Sequence, residues 1–115
     1  MVDKFRAVVK KINKEKGAMN LFAILKMDEF TDKWTIILSA PWIKDDTFSY
    51  VRDVLIRNFT PEEMNNIARL GIFAKNEHIV GELLKYKEGA IISEEEKING
   101  NLVHEAYILV SNSEI

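Results

Sequence analysis

The fold is decided by residues 18–27, which read AMNLFAILKM. Nearly every position in this stretch is apolar, and a second such run, WTIILS, follows at residues 34–39. Large apolar and β-branched side chains favour strands, and the polar segment at residues 28–33 favours a connecting loop. The pattern therefore predicts an antiparallel hairpin whose first strand is apolar on both faces.

A helix is predicted before this hairpin. Its apolar side chains recur at positions i, i+3, i+4 and i+7, and they are Phe5, Val8, Val9 and Ile12. Asp3 is a candidate N-cap, and Gly17 follows a basic last turn as a stop signal. We therefore expect a helix from about Asp3 to Lys16.

After the hairpin, Pro41 ends the second strand and a helix is predicted over residues 48–59. Residues 60–63 read Thr-Pro-Glu-Glu, which is the pattern of a capping box with proline at the first helical position. This signal predicts a short helix through Ala68.

The rest of the chain predicts a buried strand at residues 70–74, a helix from Asn76 to Gly89, and two strands at residues 90–98 and 101–110. Asn99-Gly100 joins the last two strands and is the strongest short hairpin signal. The predicted order is α-β-β-α-α-β-α-β-β. It indicates one α+β domain over residues 1–115, with an antiparallel or mixed sheet of about five strands and helices mainly on one face.

Composition excludes several classes of protein. The 115 residues include no cysteine, which rules out disulfides, cysteine-bound zinc and thiol nucleophiles. An apolar fraction of 47% argues against disorder. No apolar run reaches the roughly 18 to 20 residues of a membrane span, so we expect a cytoplasmic protein without a membrane partner.

Charge is distributed unevenly along the chain. The first sixteen residues hold six lysines and arginines and two acidic residues, so their net charge is +4. Because the whole chain has a net charge of −2, the remaining 99 residues have a net charge of −6. An acidic body argues against nucleic-acid binding. We expect the basic helix to contact its own domain or a second copy of the chain.

The last hairpin holds a candidate metal site. A two-residue turn at Asn99-Gly100 would place Glu94 opposite Glu105, with Glu96 diagonal to Glu105 on the same face. Three carboxylates together would suit a divalent cation such as Mg²⁺ or Mn²⁺. The alternative is a solvated hairpin tip with no cofactor.

The opposite face of that hairpin would pair Glu95 with His104. A carboxylate beside an imidazole is able to orient a general base, or it simply fixes a half-buried histidine. Ser93 would complete a triad by arithmetic, but no sharp turn exposes its hydroxyl.

The loop after the second strand is the candidate ligand-binding site. Trp42 has a ring that stacks on planar ligands, Lys44 suits an anion, and Asp45 or Asp46 accepts a proton. The alternative is that Trp42 locks the turn and covers the core.

These features predict an interaction or assembly module, a homodimer, because an apolar sheet face left uncovered by short helices would be buried by a second copy. No cofactor is expected in this interpretation. The alternative is a metal-dependent or acid/base enzyme, or a small-ligand binder, that uses the hairpin carboxylates and His104 together with the Trp42 loop.

Overall fold

The computed structural model of the chain describes the backbone of residues 1–115 and the side chains of residues 1–30 and 32–115. In chain order, its elements are α1 (Val2–Lys16), β1 (Leu21–Met27), β2 (Phe30–Ser39), α2 (Thr47–Asn58), α3 (Pro61–Met64), β3 (Ile67–Ile72), α4 (His78–Leu83), β4 (Ile91–Ile92), β5 (Glu96–Ile98) and β6 (Asn101–Ser111). The predicted α+β class is confirmed, and the Cα radius of gyration of 13.1 Å fits one compact domain of this length.

β1 lies in the middle of a mixed six-stranded sheet. The strand order is β3-β2-β1-β6-β4, and β5 pairs with the first residues of β6. β1 runs antiparallel to β2 on one edge and to β6 on the other, whereas β2 and β3 are parallel. The strand that the sequence placed at residues 90–98 is divided into β4 and β5.

Two hydrophobic cores cover the two faces of β1. Phe22 and Ile24 pack against α1 and α2, whereas Leu21, Ala23 and Leu25 pack on the face that carries α4. All five side chains are fully buried. The helices lie mainly on one face, as predicted, but α4 and the β4–β5 segment cover the other within a single chain.

The first hairpin is tighter than predicted. Phe30 already pairs with Met27, so Asp28 and Glu29 form the turn in place of a loop over residues 28–33. The guanidinium of Arg69 lies 5.2 Å from the centre of the Phe30 ring. This cation–π contact from β3 stabilises the start of β2.

Helix boundaries also differ from prediction, and the helix predicted from Asn76 to Gly89 is only the six residues of α4. The helix predicted through Ala68 ends at Met64, because Ile67 already pairs with Trp34 of β2. α1 begins one residue before Asp3, which therefore lies in the first turn and is not the N-cap. Pairing with a distant strand overrides local helix preference at the end of α3.

The basic helix α1 contacts its own domain. Lys4 forms an ion pair with Glu63 of α3, and the Lys16 ammonium lies 4.7 Å from the centre of the Tyr50 ring. The acidic partner is thus Glu63 and not residues 94–96. Within the residues that the structure describes, no helix has the length and apolarity needed to cross a bilayer.

Glu63 joins α3 to α1. The predicted capping box is confirmed: the Thr60 hydroxyl accepts from the Glu63 N–H at 3.1 Å, and the Glu63 carboxylate accepts from the Thr60 N–H at 2.8 Å. The hydrogen bond from Lys4, and then that from the Thr60 backbone, hold the pKa of Glu63 below its ordinary value of 4.5. The ionised carboxylate is therefore favoured by folding.

We expect Glu63→Gln to lower the free energy of unfolding near neutral pH and to have less effect in acid. A carboxyl group whose pKa is lower in the folded than in the unfolded state stabilises the folded protein at pH values above its unfolded pKa. This stabilisation is lost as the pH falls through the folded pKa. Urea unfolding of the wild type and of the variant, at pH values of about 7 and about 3, measures the difference in their free energies of unfolding. Glu62→Gln, a change of the exposed neighbouring carboxylate, is the control, and an effect of Glu63→Gln that is equal at both pH values contradicts the prediction.

Candidate functional site

The Trp42 loop performs the structural task that the sequence offered as an alternative. The indole N–H of Trp42 lies within hydrogen-bond distance of two carbonyl oxygens, Gly17 O at 3.2 Å and Ala18 O at 3.1 Å. It therefore ties the end of α1 to the end of β2. Lys44 and Asp45 have exposed side chains beside this contact, and a ligand role for them stays a prediction.

The Asn99-Gly100 turn forms as predicted. Both residues have positive φ, 53° and 77°, and Ile98 pairs with Asn101. The Asn99 N–H donates to the carboxylate of Glu82 in α4. The hairpin tip is thus held against α4.

A bulge in β6 separates the three predicted metal ligands. Lys26 and Met27 of β1 pair with Glu105 and Val103, so β6 contributes one extra residue, His104. An extra residue reverses the alternation of faces beyond it. Val103 therefore packs in the second core, together with α4, whereas Glu105 projects towards the opposite face.

The neighbours of the carboxylates confirm this separation. Glu94 and Glu96 line a surface pocket with Tyr86, whose pKa is raised by burial and then by the charge of Glu96. Glu105 instead lies 3.7 Å from the Lys26 ammonium and accepts a hydrogen bond from Tyr107. The prediction that Glu94, Glu96 and Glu105 converge is wrong, and no three His, Asp or Glu residues of the described chain are grouped to hold a metal ion.

The same bulge places His104 between two carboxylates. Its Nδ1 lies 3.3 Å from Glu95 Oε1, which is the predicted pairing, and its Nε2 lies 3.1 Å from Asp28 Oδ1. Both ring nitrogens therefore face acidic oxygens, and the imidazole lies between two carboxylates of its own chain. In this arrangement His104 links the β1–β2 turn to the segment before β5.

Trp42 and His104 do not share a site. Trp42 bonds to residues just before β1, and His104 contacts Asp28 just after it. The seven residues of β1 extend roughly 20 Å, so these groups lie at opposite ends of the central strand.

A cavity of about 220 Å³ opens on the α4 face between β3 and the hairpin tip. Its lining residues are Met27, Thr35, Ile37, Arg69, Leu70, Gly71, Phe73, Ile79, Asn99 and Asn101. The floor, from β1, β2 and α4, is apolar apart from Thr35, and the rim is polar. Such an amphipathic concavity is typical of small-molecule sites, although it is smaller than the roughly 300 to 1,000 Å³ of drug-sized pockets.

Thr35 and Arg69 place two hydrogen-bond donors on one wall. They are register partners in the parallel β2–β3 pair, so their side chains emerge on the same face. The Thr35 hydroxyl is buried and has no hydrogen-bond partner among the described residues. Most buried hydroxyls in proteins are bonded. Thr35 lines the cavity, but its unpaired hydroxyl oxygen is itself almost completely inaccessible, so a polar ligand atom or a water reaches it only after the side chain rotates.

Arg69 is held by its cation–π contact with Phe30 and by weak polar contacts. Its guanidinium lies 3.8 Å from the Glu29 carboxylate and 3.6 Å from the Met27 sulfur. The two charged side chains are 44% and 61% exposed, and ion pairs of this kind contribute little. The guanidinium therefore retains donors for another anion.

Phe73 closes one side of the cavity by packing over Gly71. A Cβ at residue 71 would lie 2.5 Å from the Phe73 ring atom Cε2, so a larger residue would displace the ring. The backbone of Phe73 donates to Leu38 O at 2.9 Å, which anchors it to β2. Glycine at this position thus permits the wall to form.

The sequence carries only weak signals for this cavity. Thr35 is a polar residue within an apolar run, and Arg69 is the one charge in β3, IARLGI. Their proximity depends on the parallel pairing of β2 with β3, which no local pattern specifies. The cavity is therefore found only in three dimensions.

Comparison with known protein families, with curated proteins and with solved structures finds no match. A proposal for the function of the protein therefore rests on the chemistry of the cavity. The described residues that line it combine apolar groups with polar side chains, which are those of Thr35, Arg69, Asn99 and Asn101. An apolar surface with a few polar groups is the arrangement of small-molecule binding sites.

Two buried threonines, each 3% exposed, give a test of the unpaired hydroxyl. We expect Thr35→Val to raise the free energy of unfolding by up to about 1 kcal/mol, because it removes an unpaired polar group at similar volume. Thr47→Val is expected to lower it by about 1 kcal/mol, because the Thr47 hydroxyl accepts the Lys44 N–H at 2.9 Å. Chemical denaturation measures both, and equal losses would contradict the assignment of Thr35 as unpaired.

Proposed function

We propose that this protein is a non-catalytic module that binds a small organic molecule in the Thr35–Arg69 cavity. The observation that carries the proposal is a cavity with an apolar floor and a guanidinium at its edge, lined also by Thr35, whose buried hydroxyl has no hydrogen-bond partner among the described residues. The buried floor supplies apolar contact, and the guanidinium supplies orientation. An acid/base enzyme centred on His104 has less support, because both of its ring nitrogens face carboxylates.

Methyl NMR tests this proposal directly. Ile37 and Ile79 line the cavity, whereas Ile12 and Ile36 lie in the opposite core and serve as internal controls. Titration with hexanoate, hexanol and hexylamine is expected to shift the first pair saturably with at least one probe and to leave the second pair in place. Shifts that grow linearly with concentration in both pairs would contradict a specific site.

Self-association is the second candidate function, and the edge strand β3 is what favours it. The uncovered sheet face that the sequence predicted is not found at β1, since both of its faces are buried within one chain. β3, however, ends the strand order, and its sequence IARLGI has one charge and no proline. Such an edge presents free backbone groups that a second copy would pair with, forming a homodimer.

We expect sedimentation at micromolar concentration to show a dimer that Ala68→Lys converts to monomer. A lysine on an edge strand discourages edge-to-edge pairing. Ala74→Lys places the same charge at an exposed position outside β3 and is the matched control. A wild-type monomer at every concentration, or equal effects of the two variants, would remove this candidate.

A further inference from the structure

The guanidinium of Arg69 is the feature of the cavity that specifies the charge of its ligand. Arg69 lies beside Thr35 across the β2–β3 pair and offers only donors. An anion accepts from the guanidinium, whereas an ammonium group would be repelled by it. Charge-assisted bonds to Arg are also the stronger kind, and the fork of guanidinium donors matches a carboxylate.

The rest of the cavity limits the size and polarity of the ligand. Its floor consists of Met27, Ile37 and Ile79, all buried, with Phe73 on one side. Of the described lining residues, Arg69 alone is charged, so a phosphate with a double charge would be poorly neutralised. A volume of about 220 Å³ fits a short apolar chain with one polar head.

From these contacts we propose that the ligand is a small monocarboxylate with a short apolar body, its carboxylate on Arg69, beside Thr35, and its body on the apolar floor. This rests on the proposed function, since it names the ligand class of the same cavity. Glu29 now occupies one side of Arg69 at 3.8 Å, and it competes with the bound carboxylate. The Glu29 carboxylate is largely solvated, so a less solvated ligand displaces it readily.

The experiment compares hexanoate with hexanol and hexylamine, three probes of similar length that differ in head-group charge. The Ile37 and Ile79 methyl signals report binding to the cavity. We expect hexanoate to bind about tenfold or more tightly than hexanol, and hexylamine not to bind. Butyrate should bind more weakly than hexanoate by about threefold to fourfold for each methylene removed.

Two substitutions change the carboxylate contact in opposite directions. Arg69→Gln is expected to reduce hexanoate affinity to that of hexanol and to leave hexanol binding unchanged. Glu29→Gln is expected to tighten hexanoate binding by a few fold, because it removes the competing charge. Arg52→Gln, at an exposed ion pair on α2, is the matched control and should change neither.

The outcomes separate the ligand class from the proposed function. If hexanol or hexylamine binds the cavity as tightly as hexanoate, or if Arg69→Gln leaves hexanoate binding intact, the carboxylate assignment is overturned while a binding cavity stands. If none of the probes shifts Ile37 and Ile79 saturably, both proposals fail. Because Glu29→Gln is expected to tighten hexanoate binding, it tests the carboxylate contact even if Arg69→Gln does not fold.

Discussion

The burial of β1 on every side is the constraint on which the rest of the structure depends. Six of its seven side chains are buried, and those on the two faces belong to two different cores. A strand of this kind also needs partners for its backbone groups on both edges, which β2 and β6 supply. The two-sided helix cover, the length of β2 and β6 and the position of the cavity all follow from this requirement.

The class of the fold was predictable because the decisive signals are local. The apolar run of β1, the capping box at Thr60 and the turn at Asn99-Gly100 each depend on neighbouring residues, and each forms as expected. The errors occur where distant pairing decides. α3 stops short because Ile67 joins β2, and the division of the last long strand reflects its register against β6.

The same contrast between local signals and distant pairing applies to the single residues of the candidate sites. The Glu95–His104 contact was predictable from turn arithmetic, because only a few residues separate both positions from the turn. The extra residue at His104 is visible only through pairing with β1, and it moves Glu105 to the other face. Arg69 and Thr35 lie far apart in the sequence, and the parallel pair that joins them has no short-range signature.

The central position of β1 also affects how the chain is made. Its partner β6 begins at Asn101, roughly seventy residues after Met27, so one edge of β1 stays unpaired during much of synthesis on the ribosome. At about 5 to 20 residues per second, this interval lasts about 4 to 15 s. During that time an apolar strand has an open edge, and its unpaired backbone groups expose the nascent chain to aggregation.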